Sequence, residues 1–200
     1  MLTDKRAALS EQGSALAQLR QLARACHACA LAATRTTVVV DDGDPNAQLM
    51  LIGEAPGREE DLLARPFVGR SGKLITRLVE EETGLSREDY YIANVVKCHP
   101  PANRNPTRDE IARCRHLLLG QIELVHPMII VTLGNVASQT LLGRREGIGE
   151  LRGGRYLLGD ARVVPTYHPA AALRGGARVT EAIREDLQIC AQLLRSGNAR

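Results

Sequence analysis

The sequence has few aromatic residues, with no Trp, four Tyr and a single Phe among its 200 residues. No stretch approaches the roughly 20 apolar residues of a membrane-spanning helix. The first residues also lack the apolar core of a signal peptide. These absences exclude an integral membrane protein of the helical type, and we expect a cytoplasmic location.

No internal repeat or low-complexity segment is present, which excludes a solenoid. The hydrophobic content of 44% and the charged content of 24% are ordinary for a globular protein. A net charge of +3 is compatible with a polyanionic partner but does not establish one. A chain of this length predicts one domain spanning residues 1–200.

Four apolar runs with β-branched residues predict strands, and helical patterns separate them. The predicted strands are residues 49–52, 90–96, 128–133 and 162–166. An N-terminal helix is predicted at 14–24, and Thr107 with Glu110 forms a capping box ahead of another helix. This alternation predicts an α/β fold with a central, mostly parallel sheet of four strands.

The first of these strands stops at a turn, residues 53–57, that contains two Gly, one Pro and the carboxylate of Glu54. Loops at the carboxyl ends of parallel strands are where open α/β sheets bind ligands. Gly permits close backbone approach, and Pro fixes one dihedral angle. The turn is therefore a candidate active-site loop, the alternative being an ordinary connection from strand to helix.

Five cysteines in a chain expected to be cytoplasmic favour metal binding or reactivity over disulfides. Cys26 and Cys29 form a CxxC pair after the N-terminal helix, while Cys98 follows a strand and Cys114 lies in a later helix. Spacing leaves zinc, an iron–sulfur centre and unrelated thiols open. Cys190 lies on an apolar helix face and is interpreted as a core thiol.

Four motifs together resemble the family 4 uracil-DNA glycosylases. They are residues 53–57 with Glu60 and Asp61, residues 65–70, residues 94–98, and His168-Pro169 through Leu173-Arg174. The resemblance covers nearly the whole chain in the same order. It implies a three-layer α/β/α domain.

The resemblance also implies a four-iron–four-sulfur cluster. Its ligands here would be Cys26, Cys29, Cys98 and Cys114, so the cluster would tie the segment 1–35 to the body of the domain. Such a cluster has no evident redox task in a hydrolysis, and we expect it to shape the protein for DNA binding.

Three residues are assigned to the uracil base with the help of this resemblance. Phe67, in a loop rich in Pro and Gly, is expected to stack on the base after it flips out of the helix. The Asn94 amide offers one donor and one acceptor, which match uracil O4 and N3–H. His168 is expected to donate to uracil O2 and to stabilise the developing anion.

The turn supplies the remaining pocket residues. Glu54 is the candidate for orienting the attacking water or stabilising the cationic sugar. The main chain of Glu54 and Ala55, beside Pro56, is expected to hold the uracil carbonyls. Glu60 is expected to block the methyl group of thymine, its alternative being a solvated carboxylate at a helix start.

Basic residues near the motifs are candidates for holding DNA phosphates, although a solvated charged face is the alternative for each. These candidates are Arg70, Lys97, Arg104, Arg152 and Arg174. Leu173 is expected to enter the space that the flipped base leaves.

The sequence thus predicts a monofunctional, monomeric glycosylase that removes uracil from single- or double-stranded DNA by hydrolysis. Two alternatives stay open. One is a zinc- or cluster-containing nucleic-acid-binding module without catalysis, and the other is a glycosylase with a broader range of deaminated bases.

Overall fold

The apolar runs form the centre of a six-stranded sheet in the computed structural model, which describes residues 2–197 and the side chains of 11–196. The strands are β1 (Asp42–Gly43), β2 (Leu49–Gly53), β3 (Tyr91–Asn94), β4 (Ile129–Leu133), β5 (Tyr156–Leu158) and β6 (Ala161–Thr166). They are arranged in the order β1-β3-β2-β4-β6-β5. The four predicted strands are the parallel centre, β3-β2-β4-β6.

The prediction of four strands is corrected by two short antiparallel strands, one at each edge. β1 is only two residues long, too short for any alternation of polar and apolar residues to mark it. β5 pairs with β6 as a hairpin. The central parallel sheet itself is confirmed.

Eight α-helices accompany the strands in the described part of the chain. They are α1 (Leu2–Arg24), α2 (Arg58–Leu63), α3 (Arg70–Thr83), α4 (Arg108–Val125), α5 (Gly134–Leu142), α6 (Ile148–Leu151), α7 (Pro169–Gly175) and α8 (Ala177–Gly197). α1 extends beyond the predicted residues 14–24. α4 begins at the expected capping box, in which Thr107 Oγ1 accepts from the Glu110 amide at 3.2 Å.

Alternate residues of β2 enter two different apolar clusters, as the two-residue period of a strand requires. Leu49 and Leu51 lie in one cluster with residues of α3 and α8. Met50 and Ile52 lie in the other with residues of α1 and α4. Helices therefore cover both faces of the sheet, and the three-layer α/β/α architecture is confirmed.

The four parallel strands all end at one edge of the sheet. β2 pairs with β3 up to Gly53 opposite Asn94, and β4 pairs with β6 up to Leu133 opposite Thr166. The turn 54–57 and His168 follow directly, so the fold brings the predicted site residues to one edge. Among residues 2–197, none of the helices combines the length and the apolar character that a bilayer span requires.

Candidate active site

Gly53 is the point at which two of the predicted pocket residues meet. A Cβ atom on Gly53 would lie 2.4 Å from Asn94 Oδ1 and 2.6 Å from Phe67 Cζ. Both side chains are therefore in close contact with the bare main chain at the end of β2. Phe67 and Asn94, far apart in sequence, lie side by side because this position has no side chain.

The loop of Phe67 has an unusual backbone conformation. Phe67 has φ +56°, in the left-handed region that non-glycine residues seldom adopt. A Cβ on Gly72, in the first turn of α3, would meet the Phe67 main chain at 2.2 Å. Phe67 is 8% exposed and belongs to the apolar cluster that contains residues of α3 and α8. Phe67 is thus packed in place, with its ring edge at Gly53.

Glu60 lies between the turn and this loop. One carboxylate oxygen accepts from the amide of Gly57 at 3.1 Å. The other accepts from the amides of Val68 and Gly69 at 2.9 and 2.8 Å. Both oxygens therefore bind the main chain, and Glu60 joins the turn to the loop of Phe67 rather than standing solvated at a helix start.

His168 is the N-cap of α7, and its Nδ1 atom accepts from the amide of Ala170 at 3.1 Å. Burial, together with the positive charge of Arg174, lowers the pKa of His168 to about 4. The imidazole is therefore neutral at physiological pH and carries its proton on Nε2. A Cβ on Gly134 would lie 2.9 Å from His168 Cβ, so the glycine at the start of α5 makes room for this side chain.

Glu54 is half-buried at the end of β2, and burial raises the pKa of its carboxyl. Its main-chain oxygen accepts from the amide of Val96 at 3.1 Å, which continues the pairing beyond β3. Within residues 11–196 its carboxylate has no hydrogen-bond partner. Ala55 is half-buried beside it and Pro56 is buried.

All four cysteines of the predicted metal centre line one cavity, together with Arg35 and Lys97. Arg35 reaches into it, with Nη1 3.2 Å from Cys98 Sγ and Nη2 donating to the carbonyl of Cys26 at 2.7 Å. Among the described side chains, no three His, Cys, Asp or Glu are close enough together to hold a single metal ion. The prediction that Cys190 is a core thiol is confirmed, since it is a buried residue of α8.

The structure removes Lys97 from the residues that face DNA. The residue is 1% exposed, and Nζ donates to the Asn94 carbonyl and to Gln121 Oε1, both at 2.6 Å. The Nζ atom is thus bonded inside the protein, between the end of β3 and α4. Lys97 thereby binds the main chain of Asn94 at the end of β3.

Two of the predicted arginines are held by carboxylates. Arg104 forms a two-pronged ion pair with Glu110 and lowers the pKa of that carboxyl to about 2. Arg152 donates to Asp186 at 2.7 Å and lies over the Tyr167 ring. Both guanidinium groups therefore have structural partners in the protein.

The other three predicted DNA contacts are exposed. Arg70 lies at the start of α3, while Leu173 and Arg174 lie on α7, directly after His168. Leu173 is 49% exposed, although it is a large apolar side chain. These three side chains are free to meet a ligand at the edge where the strands end.

Sequence reasoning missed two residues of the site. Gly134 comes directly after the predicted strand 128–133, as Gly53 comes directly after the predicted strand 49–52, and that pattern was a usable signal. Arg87 donates to the carbonyls of Pro66 and Phe67, but no local pattern marks it. Its contact with the Phe67 carbonyl joins two residues that are twenty positions apart in the sequence.

A model of the Uracil DNA glycosylase superfamily matches residues 40–188. The chain is 45% identical over 166 residues to the type-4 uracil-DNA glycosylase of Thermotoga maritima, covering 82% of this chain and 86% of that protein. It is 44% identical over 181 residues to the type-4 uracil-DNA glycosylase of Saccharolobus solfataricus, covering 86% and 83%.

A solved structure shares the fold. The solution NMR structure of a protein from Methanosarcina acetivorans superposes with a TM-score of 0.51 at 16% identity, covering 79% of this chain and 98% of that one. At this identity the likeness concerns the fold alone.

Proposed function

Because this chain belongs to the uracil DNA glycosylase superfamily, we propose that it hydrolyses the N-glycosidic bond of uracil in DNA and leaves an abasic site. The observation that carries the proposal is the convergence of Phe67, Asn94 and neutral His168 at the end of the parallel strands. The names of the type-4 relatives support the same activity. The reaction is the first step in repairing deaminated cytosine.

Phe67 and Asn94 receive the base. Uracil in a duplex has to flip out before its glycosidic bond can be reached, at a cost of a few kcal/mol. Stacking on the Phe67 ring offsets about 1–3 kcal/mol of this flipping cost. The Asn94 amide beside the ring accepts from uracil N3–H and donates to O4, whereas cytosine presents the opposite pattern.

His168 stabilises the leaving base. As the bond breaks, negative charge grows on the uracil ring, and the Nε2–H of the neutral imidazole donates to O2. The bond from Ala170 to Nδ1 fixes the ring before the reaction begins. One preorganised donor of this kind contributes about 3–4 kcal/mol to the transition state.

Glu54 acts on the sugar side. Its half-buried carboxylate has no partner within residues 11–196, so it is available to orient a water or to stabilise the positive charge on the sugar. The main chain of Glu54 and Ala55, beside Pro56, holds a uracil carbonyl. Glu60 keeps the turn and the Phe67 loop together and so sets the pocket width that excludes the methyl group of thymine.

Arg70 and Arg174 bind phosphates at the mouth of the pocket, and Leu173 enters the space left by the base. Arg104 and Arg152 are occupied by ion pairs and contribute less to this surface. The substrate is single- or double-stranded DNA and the enzyme acts as a monomer. Its cytoplasmic location is part of this proposal, because its substrate is the DNA of the cell.

The four cysteines fit a four-iron–four-sulfur cluster. Their thiols line one cavity, and the cations of Arg35 and Lys97 lie beside it, where they offset the negative charge of ligating thiolates. When bound, the cluster supplies a cross-link between the segment that follows α1 and the segment 98–114. Residues 1–35 are thereby held to the single domain of residues 1–200.

An oligonucleotide assay tests the proposed activity. The protein is incubated with a strand containing one uracil, and alkali then cleaves any abasic site. We expect cleavage at uracil and none at thymine or cytosine. No cleavage by a folded, cluster-loaded protein would support a binding module without catalysis, and equal cleavage at hypoxanthine would support a broader specificity.

A further inference from the structure

Arg87, in the connection between α3 and β3, contacts the loop of Phe67. Its Nη2 donates to the carbonyl of Pro66 at 2.5 Å, and its Nη1 donates to the carbonyl of Phe67 at 3.3 Å. Nη1 also lies 3.4 Å from Thr76 Oγ1 on α3. Its side chain is only 18% exposed. One guanidinium thus satisfies two consecutive carbonyls of a strained loop.

Asp42 holds Arg87 in this position. Its Oδ2 atom accepts from Arg87 Nε at 2.8 Å and lies 2.7 Å from Arg87 Nη2. A second arginine, Arg65, donates to the same oxygen at 2.9 Å. In the described part of the chain Arg65 has no other partner, and its side chain is 53% exposed. The two arginines share an anchor, but only Arg87 reaches the loop carbonyls.

Both amides and carbonyls of the Phe67 loop are therefore hydrogen-bonded to side chains. Glu60 accepts from the amides of Val68 and Gly69, which follow Phe67, and Arg87 donates to the carbonyls of Pro66 and Phe67. These bonds act on the residues that flank the left-handed conformation of Phe67. A non-glycine residue keeps such a conformation only when its surroundings enforce it.

We propose that Arg87 is a positioning residue for uracil recognition: its bonds to the Pro66 and Phe67 carbonyls hold the Phe67 ring at Gly53, where the base stacks. Asp42 is a second positioning residue, because its carboxylate holds the Arg87 guanidinium in place. The proposal rests on the role of Phe67 in the proposed function. It adds a residue that lies outside the pocket and touches neither the base nor the sugar.

A double-mutant cycle tests this coupling. The variants are Arg87→Gln, Phe67→Leu and the double variant, with Arg65→Gln as the matched control that loses an Asp42 ion pair and no loop contact. kcat/KM for uracil excision and inhibition by free uracil are measured, with the Tm recorded for each protein. A displaced stacking ring predicts a loss of about ten- to a hundredfold in kcat/KM for Arg87→Gln.

We expect the effects of Phe67→Leu and Arg87→Gln on the free energy of activation, taken from kcat/KM, to be non-additive. Phe67→Leu alone lowers kcat/KM, and adding Arg87→Gln to it changes kcat/KM by less than about twofold, since no ring remains to be positioned. Arg87→Gln weakens inhibition by free uracil, and Arg65→Gln leaves both readouts unchanged. If Arg87 has only a structural role, Arg87→Gln should lower the Tm, and its fold-loss in kcat/KM should multiply with the fold-loss of Phe67→Leu in the double variant. That result would overturn the proposal.

The outcomes separate this inference from the proposed function. If Phe67→Leu has full activity, the stacking role of Phe67 is wrong, and the positioning role of Arg87 is wrong with it. If Phe67→Leu is impaired but the cycle is additive, only the positioning role is wrong. Should Arg87→Gln fail to fold, Asp42→Asn takes its place in the cycle, since it removes the anchor and keeps the guanidinium.

Discussion

The Nδ1 atom of His168 lies 3.1 Å from the main-chain nitrogen of Ala170 and accepts its hydrogen bond. This bond caps α7 and at the same time decides which ring nitrogen carries the proton. Because Nδ1 is an acceptor, Nε2 is the donor, and the donor is preorganised. Protonation of the ring would break the bond to Ala170.

The first prediction concerns pH. The pKa of His168 is lowered to about 4 by burial and by Arg174, so the ring should stay neutral, with Nδ1 able to accept from Ala170, from neutral pH down to about 4. Between pH 6.5 and 4 the unfolded chain binds more protons at this group than the folded chain. The contribution of His168 to the free energy of unfolding is therefore fully present above pH 6.5 and is lost as the pH falls towards 4.

An NMR titration of the His168 ring measures this directly. The midpoint should lie near 4, and Arg174→Gln should raise it by removing the neighbouring charge. His168→Gln should lower kcat by about 10²–10³-fold at neutral pH. A midpoint near the ordinary value of 6.5 would contradict this account.

A second prediction concerns Gly53. In Gly53→Ala the new Cβ overlaps Asn94 Oδ1 and Phe67 Cζ, so both side chains have to move. We expect kcat/KM for uracil excision to fall by about a hundredfold. Overpacking should cost about 1–3 kcal/mol of stability.

Gly147→Ala is the control for this change. No atom lies within 4 Å of the position that a Cβ on Gly147 would occupy, and the φ of this residue is negative. The activity of this variant should match that of the parent protein. Equal losses in the two variants would mean that Gly53 has no special relation to the pocket.

The third prediction separates exposed arginines from paired ones. Arg70→Gln and Arg174→Gln should each reduce the slope of log Kd for DNA against log salt by about one, because each removes a phosphate contact. Arg152→Gln should leave the slope unchanged and lower the Tm, since Asp186 loses its partner at 2.7 Å. Binding measured from low to moderate salt checks all three, and a reduced slope for Arg152→Gln would contradict the assignment.

The fourth prediction concerns the cysteine cavity. Cys114→Ser should lose the brown colour of the purified protein together with its iron and sulfide, and Cys190→Ser should keep all three. Loss of the cross-link should lower the free energy of unfolding by about 2–5 kcal/mol, the range known for a disulfide. A colourless parent protein with stoichiometric zinc would refute the cluster.

Much of the pocket was predictable because the carboxyl ends of parallel strands meet at one edge. Once the strands were identified, the turn at Gly53, Asn94 and His168 had to come together. The cysteine spacing left several interpretations open, and the family resemblance assigned the four cysteines to one centre; their side chains do line one cavity.

Residues whose surroundings come from distant parts of the chain were not predictable. Lys97 looked like a surface cation, but its burial depends on Gln121, twenty-four residues away. Arg152 looked free, but Asp186 of α8 binds it. No sequence pattern around Arg87 indicates its role, since its acceptors are main-chain carbonyls in another loop.

A crystal structure of the protein with free uracil would show directly whether Phe67, Asn94 and His168 form the uracil pocket. We expect the uracil ring to stack on Phe67, with O2 about 2.7–3.2 Å from His168 Nε2 and with N3 and O4 at the same range from the Asn94 amide. Uracil bound elsewhere, or bound here with His168 and Asn94 out of hydrogen-bond reach, would contradict it.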